Sequence, residues 1–186
     1  MNLSDGEYFI RCNVGSPDQS FLWFISGPTA TQTEQEIHAF ARSICRDTRT
    51  KKIRERDLPP ECFVQVINRD NGTILLRQTA TGRYATVNTQ QTYSFMAGQE
   101  GDDPAPKISF MFFSDSTRPP KDNAEFQLIA PTGKVSNGVA IRSMRNNRYV
   151  EVDLDLCGPN YLYPICDFEH ISANGLFRFE RRFGYF

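Results

Sequence analysis

The sequence carries almost no net charge, and this absence limits the partners that it can have. Its 186 residues include 21 Lys and Arg against 22 Asp and Glu, which gives a formal net charge of −1. Broad binding to nucleic acid or to an anionic membrane needs an excess of positive charge. We therefore expect neither nucleic acid nor a membrane among the partners.

Long apolar runs and a recognisable leader are also missing. No apolar run is long enough to cross a bilayer as a helix. The polar start MNLSDGEY lacks the positive and apolar regions of a secretory signal. We therefore expect a cytoplasmic protein whose five cysteines are reduced thiols. In an oxidising compartment, Cys157 and Cys166 could instead close a local disulfide.

Catalytic and metal-binding signatures are absent as well. The two histidines, His38 and His170, lie in no pattern that includes a supported nucleophile. No Cys and His pair has zinc spacing, and the acidic residues at 153–155 lack the further oxygen ligands and the glycine of a calcium loop. The sequence therefore predicts no enzyme, no metal and no cofactor.

Aromatic and turn-forming residues are abundant instead. There are 15 Phe and 7 Tyr, together with 12 Gly and 11 Pro. Aromatic side chains favour strands and sheet-on-sheet cores, and Gly and Pro mark turns. The composition is typical of an all-β protein with many turns.

An internal repeat is the most informative feature of the chain. The stretches GTILLRQTATGRYATVN (72–88) and GVAIRSMRNNRYVEVD (138–153) match at a constant offset of 65 residues once Arg77 is aligned with Arg142. Each stretch has an apolar strand, an Arg, a polar turn, an Arg-Tyr pair and a second strand. A third, degenerate copy surrounds Arg11 near the start of the sequence. Such repetition indicates a fold built from three similar units.

Three units of four strands predict a β-trefoil, in which six strands form a barrel and six cap it. A propeller needs at least four blades, and a β-sandwich does not require a threefold repeat. We predict a single domain over residues 1–186, with repeats at about 6–71, 72–137 and 138–186.

Two longer runs carry a resemblance to known proteins. CFVQVINRDNGTILLRQTATGRYATVN and EFQLIAPTGKVSNGVAIRSMRNNRYVEVD resemble the repeat of fascin-like β-trefoils. The opening LSDGEYFIR resembles the start of small fungal β-trefoils, which include clitocypin-like protease inhibitors and ricin-B-like lectins. The resemblance implies the fold, whereas function within this fold varies widely.

One segment of the first repeat does not follow the strand pattern. Residues 33–46, TEQEIHAFARSICR, place Ile37, Phe40 and Ile44 at helical spacing. Thr and Glu stand at the start of this segment and Arg at its end, as in many helices. We therefore predict a short amphipathic helix inserted in the first repeat.

Two groups of residues are candidate binding sites. Asn160, Tyr161 and Tyr163 could form a patch that stacks on a sugar or contacts a protein. Alternatively, this stretch is a strand of the last repeat that packs inward. In the basic segment 46–56, candidates for contact with phosphates or an acidic partner are Arg49, Lys51 and Lys52. A solvated loop is the alternative there.

The repeat arginines have two interpretations. Arg11, Arg77 and Arg142 could form a symmetric set of ligand sites. Alternatively, each bonds turn carbonyls and packs its stem on the core as part of the scaffold. The tyrosines of the Arg-Tyr pairs, Tyr84 and Tyr149, are expected in the core layer.

Three functions follow, all of them non-enzymatic. The first is a binding module that presents long loops (27–60, 98–107 and 114–123) to a protein partner, for example a protease inhibitor. The alternative is a lectin-like protein that binds a glycan, although the Gln-x-Trp signature of ricin-like lectins is absent. A second alternative is a fascin-like actin-binding module.

Overall fold

The computed structural model describes most of the chain. It covers residues 3–12, 19–24, 37–38, 40–45, 58, 60–91, 107–114, 117–118, 123–131, 138–158 and 161–182. The strands in these ranges are β1 (Gly6–Cys12), β2 (Gln19–Phe24), β3 (Ile37–His38), β4 (Phe40–Cys45), β5 (Phe63–Asn68), β6 (Ile74–Gln78), β7 (Ala85–Gln91), β8 (Lys107–Phe113), β9 (Phe126–Ile129), β10 (Ala140–Ser143), β11 (Tyr149–Gly158), β12 (Tyr161–Phe168) and β13 (Phe177–Arg181). Short 3₁₀ turns lie at Pro60–Cys62 and Ala173–Gly175.

Six of the described strands form a closed barrel. Its order is β1, β5, β6, β9, β10 and β13, and adjacent strands are antiparallel. The contact between β10 and β13 is made by Val139, which precedes β10, and Phe177. The barrel closes where β13 pairs with β1, from Tyr8 opposite Arg181 to Cys12 opposite Phe177.

Three hairpins cap one end of this barrel. They are β2–β4, β7–β8 and β11–β12. Each leaves the barrel through an equivalent pairing: Arg11 opposite Leu22, Arg77 opposite Tyr84, and Arg142 opposite Tyr149. The hairpins meet where β12 pairs with both β4 and β8, and β3 adds to β8. The predicted barrel of six strands with a cap of six is confirmed, whereas the boundaries between repeats stay a prediction.

The predicted helix is wrong. Within 33–46, the described residues form β3 and β4. β4 pairs with β2 along six positions, from Phe24 opposite Phe40 to Gln19 opposite Cys45, and with β12 on its other side. A short apolar segment fits the periods of both helix and strand. An isolated helix of this length is marginal, so the ladders available on both sides of β4 decide the outcome.

The core lies inside the barrel and follows the repeat. The residue before each repeat arginine is fully buried: Ile10, Leu76 and Ile141 are all 0% exposed. Phe126 and Phe177, also 0% exposed, fill the same cluster. The apolar residues of the sequence repeat are thus the wall of a common core.

The polar turns of the second and third repeats have the same backbone geometry. The Gln78 amide donates to the Arg83 carbonyl at 2.8 Å, and its equivalent Ser143 donates to Arg148 at 2.9 Å. Gly82 and Asn147, at equivalent positions, have φ angles of 72° and 61°. Only glycine adopts this left-handed conformation freely, and asparagine tolerates it better than most other residues. The offset of 65 residues therefore reflects a shared turn.

The cysteines Cys12, Cys62 and Cys166 are buried, and Cys166 is a free thiol. Cys166 lies next to Ile165, which is opposite Glu151 at the start of β11. Cys157 lies near the other end of β11, roughly 20 Å away at about 3.3 Å per residue. A disulfide between Cys157 and Cys166 does not fit this register, because bridged cysteines need Cα atoms within about 7 Å.

Alkaline pH should destabilise the protein through Cys166. Burial, together with the nearby charge of Asp167, raises the pKa of the Cys166 thiol to about 12. The unfolded thiol ionises at about 8.5, so the folded state holds a proton that the unfolded state has lost. Stability should fall between these two pKa values by about 1.4 kcal/mol per pH unit. Denaturation from pH 8 to 10.5 should show this additional slope relative to Cys166→Ala, and equal slopes would contradict the burial of the thiol.

Candidate functional site

The three repeat arginines are engaged within the protein. Arg11 Nη2 lies 2.7 Å from a carboxylate oxygen of Glu180, and Arg142 Nη2 donates to Gln127 Oε1 at 2.8 Å. Arg77 Nε donates to the Gly82 carbonyl at 3.0 Å. Its guanidinium lies over the ring of Tyr84, 5.8 Å from the centroid. These contacts support the scaffold interpretation of the arginines.

The tyrosines of the Arg-Tyr pairs differ in burial. Tyr84 is 8% exposed and packs with Leu75 and Ala124. Tyr149 is only half-buried. The expectation of a core position is therefore met fully by Tyr84 and in part by Tyr149.

The predicted binding residues are only partly described. Arg49, Lys51, Lys52 and Asn160 lie outside the described residues. Tyr161 and Tyr163 lie in β12, where they are opposite Gly158 and Asp153 of β11. The stretch is therefore a strand of the cap, and its role in binding stays a prediction.

The two histidines lie on separate elements of the structure. His170 is exposed, and its neighbour Glu169 forms an ion pair with Arg148. The hydrogen bond and charge of Arg148 lower the pKa of the Glu169 carboxyl. His38 lies in β3. Within the described ranges, no group of three or more His, Cys, Asp or Glu residues could hold a metal.

A cleft opens at the end of the barrel opposite the hairpins. β1 and β6 begin at this end, and β5 and β9 finish there. The cleft has a volume of about 450 Å³ and is lined mainly by Leu3, Asn68, Arg69, Ile74, Gln127 and Leu128. These residues come from three separate stretches of the chain that the barrel brings together.

The turn between β5 and β6 forms a rigid side of the cleft. Asn71 Oδ1 accepts from the Thr73 amide at 3.1 Å. Glu125, just before β9, accepts from Asn71 Nδ2 and from Thr73 Oγ1, both at 3.0 Å. Gly72 has a φ of 79°, as a tight turn here requires. The turn that carries Arg69 is thus fastened to the neighbouring repeat.

Hydrogen bonds within the protein determine which polar groups face a ligand. Asn68 Nδ2 donates to the Leu3 carbonyl at 2.8 Å and to Asp5 Oδ1 at 2.7 Å. The backbone amide of Asn68 also donates to Asp5 Oδ1. The backbone and side-chain bonds from Asn68 lower the pKa of the Asp5 carboxyl. Gln127 Oε1 accepts from Arg142. The side-chain groups that these bonds leave for a ligand include Asn68 Oδ1, Gln127 Nε2 and the exposed guanidinium of Arg69.

The cleft also has an apolar floor. Ile74 and Leu128 are 4% and 9% exposed, and both belong to the barrel core. A small site that combines apolar surface with a few fixed polar groups is typical of a ligand-binding cleft. The sequence did not predict this site, because its residues share no motif. The available signal was the turn NRDNG, which joins one repeat to the next and must lie at the barrel end opposite the hairpins.

The described residues include no helix of the length and hydrophobicity needed to span a membrane.

Comparison with known proteins gives structural matches only. No protein-family model matches the sequence, and no curated protein matches it. The structure resembles the designed threefold-symmetric protein ThreeFoil, with a TM-score of 0.58, 12% identity and coverage of 96% of this chain and 100% of that one.

Two fungal proteins also match the structure. The Rhizoctonia solani agglutinin has a TM-score of 0.55 and 10% identity, over 98% of this chain and 99% of that one. The Polyporus squamosus lectin, solved with the glycan epitope Neu5Acα2-6Galβ1-4GlcNAc, has a TM-score of 0.53 and 12% identity. That match covers 97% of this chain and 50% of the lectin. Together with the barrel and its three capping hairpins, these matches show that the chain has the β-trefoil fold.

Proposed function

We propose that this protein is a non-enzymatic glycan-binding module and that the cleft at the barrel end holds the sugar. The observation that carries the proposal is the composition of the cleft. Sugars present hydroxyl groups that both donate and accept, and apolar C–H faces. Asn68 Oδ1 can accept, Arg69 and Gln127 Nε2 can donate, and Ile74 and Leu128 supply apolar contact.

The structural neighbours favour this function over the other candidates. Two of them are named as an agglutinin and a lectin. The protease-inhibitor hypothesis depends on the loops 27–60, 98–107 and 114–123, most of whose residues lie outside the described ranges. Actin binding has no specific support in the described residues, and cytoplasmic localisation stays a prediction.

A glycan array followed by titration tests the proposal. We expect the wild-type protein to bind a subset of the glycans on the array. Gln127→Leu should bind the same glycans about tenfold more weakly, as the loss of one or two hydrogen bonds would cause. Gln65→Leu is the matched control, since Gln65 is opposite Arg77 just as Gln127 is opposite Arg142. Both glutamines are half-buried, but Gln65 lies outside the cleft.

Two results would contradict the proposal. If no glycan is retained at millimolar concentration, the protein is not a glycan-binding module. If Gln127→Leu and Gln65→Leu bind equally well, the sugar is held somewhere other than the barrel-end cleft. Circular dichroism of both variants should confirm that they are folded.

A further inference from the structure

We infer that the cleft selects a sugar that carries a carboxylate, and that Arg69 determines this selectivity. The inference rests on the proposed function, because it names the class of glycan that the same cleft would take. Its basis is the balance of donors and acceptors that remain after the internal hydrogen bonds are formed.

Arg69 is the main donor in the cleft. It is exposed on the turn between β5 and β6, and its guanidinium makes no hydrogen bond or ion pair with the described residues. Its backbone is held, because the Arg69 amide donates to the Thr73 carbonyl at 2.9 Å and the Arg69 carbonyl accepts from Gly72 at 3.1 Å. A guanidinium presents a planar fork of donors that matches a carboxylate in two parallel hydrogen bonds.

Gln127 adds a second donor with a defined orientation. Because Arg142 donates to Gln127 Oε1 at 2.8 Å, the amide oxygen is occupied and Nε2 is left for a ligand. No described residue accepts a hydrogen bond from Nε2. Among its side-chain groups without an internal partner, the cleft therefore offers two donors, one of them charged, and the acceptor Asn68 Oδ1.

The acidic residues near the cleft keep their negative charges, but none of them is among the residues that line it. The Asp5 carboxylate accepts from Asn68, and the Glu125 carboxylate accepts from Asn71 and Thr73. Asp70 follows Arg69 in the turn and is exposed to solvent, but unlike Arg69 it does not line the cleft. The cation of Arg142 lies behind Gln127 and adds positive potential.

The apolar floor and the size of the cleft point to a sugar acid instead of a simple anion. Ile74 and Leu128 would contact the C–H face of a pyranose ring. A volume of about 450 Å³ accommodates one or two rings. The carboxylate could belong to a uronic acid or to a sialic acid, which share the chemistry that the cleft recognises.

Isothermal titration of the full chain with four probes tests the inference. The probes are D-glucuronate, N-acetylneuraminate, D-glucose and acetate. We expect at least one of the two sugar acids to bind about ten- to a hundredfold more tightly than glucose, as a charge-assisted hydrogen-bond pair allows. Acetate should bind much more weakly than either sugar acid, and the tighter acid identifies the source of the carboxylate.

Variants of Arg69 give the discriminating result. Arg69→Gln should remove the preference for sugar acids over glucose, and Arg69→Lys should retain part of it, because Lys keeps the charge and loses the fork. Arg178→Gln is the matched control, since Arg178 is an exposed arginine on β13 outside the cleft. It should bind like the wild type.

Failure of the inference differs from failure of the proposed function. Suppose that glucose and the sugar acids bind with equal affinity and that Gln127→Leu lowers the affinity for all of them. The cleft is then a glycan site without acid selectivity, and the inference is wrong. It is also wrong if Arg69→Gln keeps the preference, or if acetate binds as tightly as the sugar acids. If none of the sugars binds and the glycan array is blank, the proposed function itself is wrong.

Discussion

Replacing Phe177 by alanine should lower the free energy of unfolding by about 4 kcal/mol, within the range for large-to-small changes in a packed core. Phe177 is 0% exposed and lies in the main core cluster. Its backbone also joins β13 to the segment before β10, because its amide and carbonyl bond to Val139, both at 2.8 Å. Alanine retains these backbone bonds, so the loss measures the packing of the ring. Urea denaturation monitored by fluorescence and circular dichroism gives the value.

Phe179 supplies the control for this measurement. It lies two residues further along β13 and is half-buried, with its ring edge-to-face against Tyr8 at a centroid distance of 6.2 Å. We expect Phe179→Ala to cost clearly less than Phe177→Ala, because part of its surface already contacts water. Equal losses would contradict the difference in burial, because Phe179 packs at the edge of the same core cluster that encloses Phe177.

Replacing Tyr84 by alanine should cost about 3 kcal/mol. Tyr84 is 8% exposed, packs with Leu75 and Ala124, and lies under the guanidinium of Arg77. Its equivalent Tyr149 is less deeply buried, so Tyr149→Ala should cost less than Tyr84→Ala, because less area is removed from water. Thermal and urea unfolding of both variants should rank them in this order.

The Tyr84 variant also separates the two interpretations of the Arg-Tyr motif. If the motif is scaffold, Tyr84→Ala lowers stability, and glycan binding at the barrel-end cleft survives under conditions where the protein is folded. A variant with full stability and no ligand binding would show that the motif is a site. Tyr84→Phe isolates the hydroxyl group and should cost much less than the alanine change.

The repeat made most of the fold predictable from the sequence. Alignment of Arg77 with Arg142 identified equivalent strands, and the structure gives these arginines equivalent pairings with Tyr84 and Tyr149. The first copy is less regular: the residue opposite Arg11 is Leu22, where the other two copies have a tyrosine.

The strands in segment 33–46 and the residues of the cleft could not be predicted from the sequence. Phe40 and Ile44 fit both a helical and an extended period, and only the partners β2 and β12 decide between them. In the cleft, Asn68 and Gln127 belong to different strands, and their free atoms depend on bonds to other residues. Local patterns do not encode such contacts, because they arise only when the barrel closes.

The pairing of the first strand with the last has a consequence for the timing of folding. Arg11 and Glu180, which bond across this pairing, are 169 residues apart in the sequence, and Glu7 and Arg182 are 175 apart. During synthesis on the ribosome, nearly all of these residues must therefore be made before β13, the second barrel neighbour of β1, becomes available. Contacts of such separation slow folding and leave an unpaired strand edge exposed in the meantime. We expect newly made chains to be most prone to aggregation in this interval, before the seam between β1 and β13 forms.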